Sequence, residues 1–112
     1  MTTRVEVPCR GNVTVFAKRH VVEPYELPGE ELEAFFATVA TVARAIDAVV
    51  RPVKINYEIH GNTNPHLHLH VFPRYIGDPF EGGPIRPSEL HVTHSTEDIA
   101  DFRAAIGKAL AP

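Results

Sequence analysis

The stretch Asn64-Pro65-His66-Leu67-His68-Leu69-His70-Val71-Phe72-Pro73-Arg74-Tyr75 decides how this chain folds. From His66 to Val71, histidine and apolar residues alternate strictly. A period of two belongs to an extended strand, whose successive side chains point to opposite faces of a sheet. His66, His68 and His70 therefore share one face, and Leu67, Leu69 and Val71 share the other. Three imidazoles on a core face would each need a buried partner, and histidine changes its protonation near neutral pH. The expectation is a strand whose apolar back packs on a core while the histidine row faces a cleft or solvent.

Just upstream, Val53, Ile55, Tyr57 and Ile59 alternate with Lys54, Asn56, Glu58 and His60, which predicts a second strand with one polar face. Gly61-Asn62-Thr63-Asn64 reads as a turn, and Pro65 pushes Asn64 towards extended geometry. Strands this close in sequence pair as a hairpin, which makes Asn56, Glu58 and His60 neighbours of the histidine row. Farther upstream, Leu32, Phe35, Phe36, Val39, Val42, Ala43, Ile46 and Val49 recur every three or four residues. That stripe predicts one long helix from about Pro28 to Val50, with Glu30, Glu31 and Glu33 at the positive end of its dipole and Arg51-Pro52 closing it. The hairpin's apolar side is its natural seat.

Val13, Val15 and Ala17, alternating with Thr14, Phe16 and Lys18, predict a strand running to about Arg19-His20. Val5 and Val7 suggest a short opening strand ended by Pro8. Residues 76–87 are rich in Gly and Pro and read as an extended loop, in which Gly82-Gly83-Pro84 is a candidate lid. Ser95 and Asp98 resemble a capping box for a last helix to about Leu110, with Ile99, Phe102, Ile106 and Leu110 inward. The fold class is thus α+β: an antiparallel sheet, a long central helix on its apolar face and a C-terminal helix.

A length of 112 residues fits one domain, residues 1–112. The net charge of −3 lacks the basic field that nucleic-acid binding needs. One cysteine, Cys9, excludes an intrachain disulfide and suits a reducing compartment. No 18-residue apolar run occurs, and Met1-Thr2-Thr3-Arg4 has no hydrophobic signal core. The expected setting is cytoplasmic, with neither a membrane nor a nucleic acid as partner.

Two chemistries suit the row. Alternate residues on a strand lie roughly 6.6 Å apart, and the outer histidines about 13 Å. Two imidazoles can share a metal, but a third ligand would have to come from His20, His60 or Glu58, and the spacing is not that of a zinc motif. The row is read without a metal or other cofactor. Nucleophilic catalysis fits better, because a neutral imidazole is a competent nucleophile near pH 7. His68 has an imidazole on each side along the strand, and its attack on phosphorus would give a phosphohistidine that water could hydrolyse.

His66-Leu67-His68-Leu69-His70-Val71-Phe72 resembles the signature of the histidine triad (HIT) family, three histidines separated by apolar residues. Pro73-Arg74, Lys18-Arg19-His20 and Gly61-Asn62-Thr63 resemble its flanking elements, so the match runs from about Gly11 to Tyr75. The resemblance implies a hydrolase or transferase acting on a purine nucleotide, either a nucleoside phosphoramidate or a dinucleoside polyphosphate. It implies that His68 attacks the α-phosphate, that His66 and His70 position nucleophile and phosphate, and that His20 is a fourth active-site histidine. Thr63 corresponds to a hydroxyl near the leaving group, Asn56 to a phosphate-side amide, and Asn62 replaces a common glutamine. A homodimer is implied as well. The hairpin that precedes the strand at Val13 in the family is shortened here, which cuts down the expected base pocket; a non-catalytic nucleotide-binding module is the alternative this suggests, ahead of a mononuclear metalloprotein. Outside the signature, His60 reads as solvated beside its turn, His91 and His94 as surface residues, Cys9 as a small buried apolar group, and Arg74 as half of a surface ion pair.

Overall fold

The computed structural model describes residues 6–110. In chain order it contains β1 (Glu6–Val7), β2 (Val13–Phe16), a 3-10 turn (Pro24–Glu26), α1 (Gly29–Val50), β3 (Lys54–Glu58), β4 (His68–Arg74), β5 (Val92–Thr93) and α2 (Thr96–Leu110). Of the expected opening strand, Val5 lies outside the described residues, and Val7 pairs with Val92 in a two-stranded β1–β5 sheet. The main sheet is antiparallel in the order β2-β4-β3, with the histidine strand at its centre.

Alternation decides which side of this sheet is core. Val15 stands opposite Leu69, and both Val13 and Tyr57 stand opposite Val71. On that face Val13, Val15, Leu67, Leu69 and Val71 are buried against Phe35, Val39, Val42 and Ile46 of α1, with Ile106 of α2 completing the cluster. Fully burying a Leu, Val or Ile side chain contributes about 1.5–3 kcal/mol, so this layer carries most of the fold's hydrophobic stabilisation. Arg51 closes α1 in the left-handed region (φ 52°) and donates its N–H to the Asp47 carbonyl at 3.1 Å. The expected capping box at α2 forms: Asp98 N–H donates to Ser95 Oγ at 3.0 Å, and Ser95 N–H to Asp98 Oδ2 at 3.2 Å.

Several local expectations need correction. Strand β2 stops at Phe16; Ala17 donates to the Leu67 carbonyl at 3.0 Å, and past the bend that leads to His20 the Val21 carbonyl accepts from the Leu67 N–H at 2.7 Å. His66 precedes β4, and the alternating segment loses regular pairing there. Phe36 belongs to the helical stripe by spacing but is 42% exposed, flanking the seam and packing edge-on against Phe35. Leu110, on the last turn of α2, is also exposed. His94 is buried, contrary to its reading as a surface residue.

Candidate active site

The face of β4 opposite α1 carries His68, His70, Phe72 and Arg74, and the register adds Thr14 and Phe16 from β2 and Asn56 and Glu58 from β3. A cavity of about 570 Å³ opens over it. That volume lies within the usual range for small-molecule sites. His68, His70, Asn62 and Thr63 all line it, together with His60, Phe16 and, from the other side, Leu90. His66, His20 and Asn56 do not.

Bonds to backbone carbonyls fix which nitrogen of His66 and of His68 carries a proton. His68 Nδ1 lies 2.7 Å from the His66 backbone carbonyl. A carbonyl only accepts, so Nδ1 is the protonated nitrogen, and neutral His68 keeps its lone pair on Nε2. His66 Nε2 donates to the Ala17 carbonyl at 2.7 Å, which leaves its Nδ1 as acceptor for the Nδ1–H of His20 at 3.2 Å. Both nitrogens of His66 are therefore engaged at the strand's open end. His70 Nδ1 lies 3.3 Å from Thr14 Oγ1, its cross-strand partner.

Aromatic packing braces the two histidine rings of β4. Phe16 stacks on His68 with centroids 5.3 Å apart, and Phe72 lies parallel to His70 at 5.2 Å. His68 and His70 meet edge to face at 5.1 Å. With these rings on either side, His68 is only 8% exposed, yet it still borders the cavity.

Beyond His70 the face closes. Phe72, Cys9, Phe80 and Ile85 form a second small core beneath the Gly- and Pro-rich segment. Arg74, expected in a surface ion pair, is buried at its centre. Its Nε and Nη2 donate to the two Asp78 carboxylate oxygens at 2.9 and 3.0 Å. Nη1 donates to Asn56 Oδ1 at 2.7 Å and the Gly83 carbonyl at 2.8 Å, and Nη2 also to the Phe80 carbonyl at 2.8 Å. All five guanidinium donors are thus satisfied. The adjacent Arg74 holds the Asp78 carboxyl down at about 2, and burial pushes the Cys9 thiol up to about 11, which leaves it unreactive.

Sequence alone leaves Thr14 and Phe16 unassigned and puts Arg74 on the surface rather than in a buried hub. Thr14 and Phe16 stood on the polar side of their strand's alternation, and only the cross-strand register shows that this side meets the histidines. Among the described residues, no cluster of three or more His, Cys, Asp or Glu side chains is arranged to hold a metal ion, and no helix is long and apolar enough to cross a membrane.

A β-sheet backed by one long helix, with His68 and His70 facing a cleft and His66 just before them, is the arrangement of a histidine-triad protein. The HIT domain family matches residues 8–77, and the chain belongs to that family. It is 31% identical to Protein hit of Bacillus subtilis over 108 residues, covering 91% of this chain and 72% of that protein. A histidine triad protein of Marinobacter aquaeolei superposes with a TM-score of 0.80 at 28% identity, covering 88% of this chain and 73% of its own. One from Bradyrhizobium japonicum shares the fold with a TM-score of 0.84 at 20% identity, covering 95% and 81%. Membership places the chain among HIT-type nucleotide-binding proteins and hydrolases.

Proposed function

We propose that this protein is a nucleotide hydrolase or transferase that attacks the α-phosphate of a purine nucleotide through a covalent nucleotidyl-His68 intermediate. The observation that carries this reading is the 2.7 Å bond from His68 Nδ1 to the His66 carbonyl. It orients the ring and leaves the Nε2 lone pair for phosphorus without requiring another base. His70, held by Thr14, donates to the phosphoryl oxygens and stabilises charge in the transition state. His66 and His20 position the strand's open end, and Asn62 and Thr63 face the leaving group. Asn56 contributes by fixing Arg74, and through it the closed end of the strand.

The substrate is a nucleoside phosphoramidate or a dinucleoside polyphosphate. Assays with adenosine phosphoramidate, diadenosine polyphosphates and nucleotide sugars test this directly. Turnover of one of the first two groups is the expected result. Binding without turnover would instead support a non-catalytic nucleotide-binding module, and neither binding nor turnover would overturn the reading. The proposal includes a cytoplasmic homodimer, supported by family membership and by the exposed Tyr57 on the edge strand β3 and Val53 just before it. Sedimentation at micromolar concentration should give twice the chain mass, and a monomer would remove the dimer while leaving the chemistry intact.

A further inference from the structure

The hairpin that carries the histidine row brings a second acid–base pair to the same cavity. Glu58 is the cross-strand partner of His70, so the two side chains leave the sheet on one face. Two residues farther on, His60 places Nε2 2.8 Å from Glu58 Oε1 and its ring centroid 6.0 Å from that of His70. It shares the cavity wall with Asn62 and Thr63. The Glu58 side chain is largely buried, whereas His60 is open to the cavity and solvent. A carboxylate accepts, so Nε2–H is committed to Glu58 and Nδ1 is the nitrogen that exchanges a proton. An imidazole oriented by a carboxylate, in the same cavity as a nucleophile, is the recurring arrangement of a general acid–base.

The reaction needs such a group. The amine that departs from a phosphoramidate must be protonated as its bond to phosphorus breaks. His68 spends its Nε2 lone pair on phosphorus, and both nitrogens of His66 are engaged elsewhere. Among the described residues, the cavity wall holds no lysine or arginine. The groups facing His60 that bear on its charge are Glu58 from its own hairpin strand, His70 from β4, and Glu6 of β1 on the same cavity wall.

Resting on His68 as nucleophile, the geometry points to His60, oriented by Glu58, as the general acid–base of this site. As His68 Nε2 bonds to phosphorus, the bond to the leaving group breaks with its electron pair, and protonated His60 gives its Nδ1 proton to that atom. Water then attacks phosphorus and yields a proton to the now neutral His60, while the electron pair of the phosphorus–nitrogen bond returns to His68. One water is consumed per substrate, and both imidazoles are restored.

Two AMP derivatives separate this role from the nucleophile's: an alkylamine phosphoramidate, whose leaving group needs a proton, and a 4-nitrophenyl ester, whose leaving group does not. For His60→Ala, kcat/KM on the amidate should fall by about 10²-fold or more, while the ester stays within about 3-fold of wild type and shows a nitrophenolate burst. Added imidazole should restore part of the lost amidate activity, and Glu58→Gln should lower kcat on the amidate with KM unchanged. Equal losses on both substrates, or no loss on the amidate, would overturn the assignment. A wild-type protein inactive on both would overturn the His68 reading and this inference with it.

Discussion

The two ends of the histidine face are built on the same alternation but stabilised in opposite ways. At the open end, exposed His20 and half-buried His66 are linked ring to ring, with a backbone carbonyl fixing the proton on His66. At the closed end, Phe72 and Arg74 lie under the segment after β4; four of the Arg74 hydrogen bonds hold that segment down and the fifth ties Arg74 to Asn56 of β3. The cavity with His68 and His70 sits between them. A charged hub at one end fixes the strand, and at the other a pair of imidazole hydrogen bonds holds His66 in place. One strand is thus anchored by a buried ion pair at one end and by neutral hydrogen bonds between rings and backbone at the other.

The contrast is broken most severely at Arg74. Arg74→Ala would leave the Asp78 carboxylate buried without its partner, and losing one member of a buried pair typically costs about 3–5 kcal/mol. Chemical denaturation should show that loss, and Arg74→Lys should recover only part of it, because an ammonium cannot reproduce the fork. A loss below about 1 kcal/mol would mean the closed end is held by its apolar contacts alone.

Acid titration sharpens the same point. Asp78 has its pKa lowered from 3.8 in the unfolded chain to about 2 in the fold, with the hydrogen bonds from Arg74 as the main cause. Its stabilisation is therefore complete above pH 4 and is lost as pH falls from there through about 2, a change on the order of 2 kcal/mol. Stability measured by denaturation at pH 5 and pH 2.5 should show this component in wild type and lose it in Asp78→Asn.

The smallest expected effect lies between the two ends. Thr14→Val removes the bond to His70 while keeping the side chain's shape, so stability should change by less than about 1 kcal/mol. Activity should fall about tenfold, through kcat, if that bond orients His70 towards phosphate. A kcat equal to wild type would limit Thr14 to packing.

Period and punctuation carried most of the fold. The alternation from His66 to Val71, the stripe from Leu32 to Val49 and the Ser95–Asp98 box each depend on neighbours close in sequence, and each element formed within a few residues of its expected bounds. What stayed hidden depends on long-range register and on the cover over the histidine face. Nothing local to Thr14 or Phe16 says which strand they will meet, and His94 is buried by contacts its own segment does not announce. Arg74 read as a surface residue because its partners at Asn56, Asp78, Phe80 and Gly83 converge only after the loop has folded back. His60 shows the same limit: its hairpin position placed it near the row, but only the bond to Glu58 distinguishes it from a solvated turn residue.

If the bond to the His66 carbonyl leaves His68 Nε2 as the attacking atom, the covalent intermediate forms at that nitrogen. Wild-type protein quenched during turnover of a nucleotide labelled at the α-phosphate should carry an acid-labile, base-stable phosphoramidate, and peptide mapping should place it on His68 at Nε2. His68→Ala should show neither label nor turnover while keeping its fold and nucleotide binding. A label on another residue, or full activity in His68→Ala, would contradict the account.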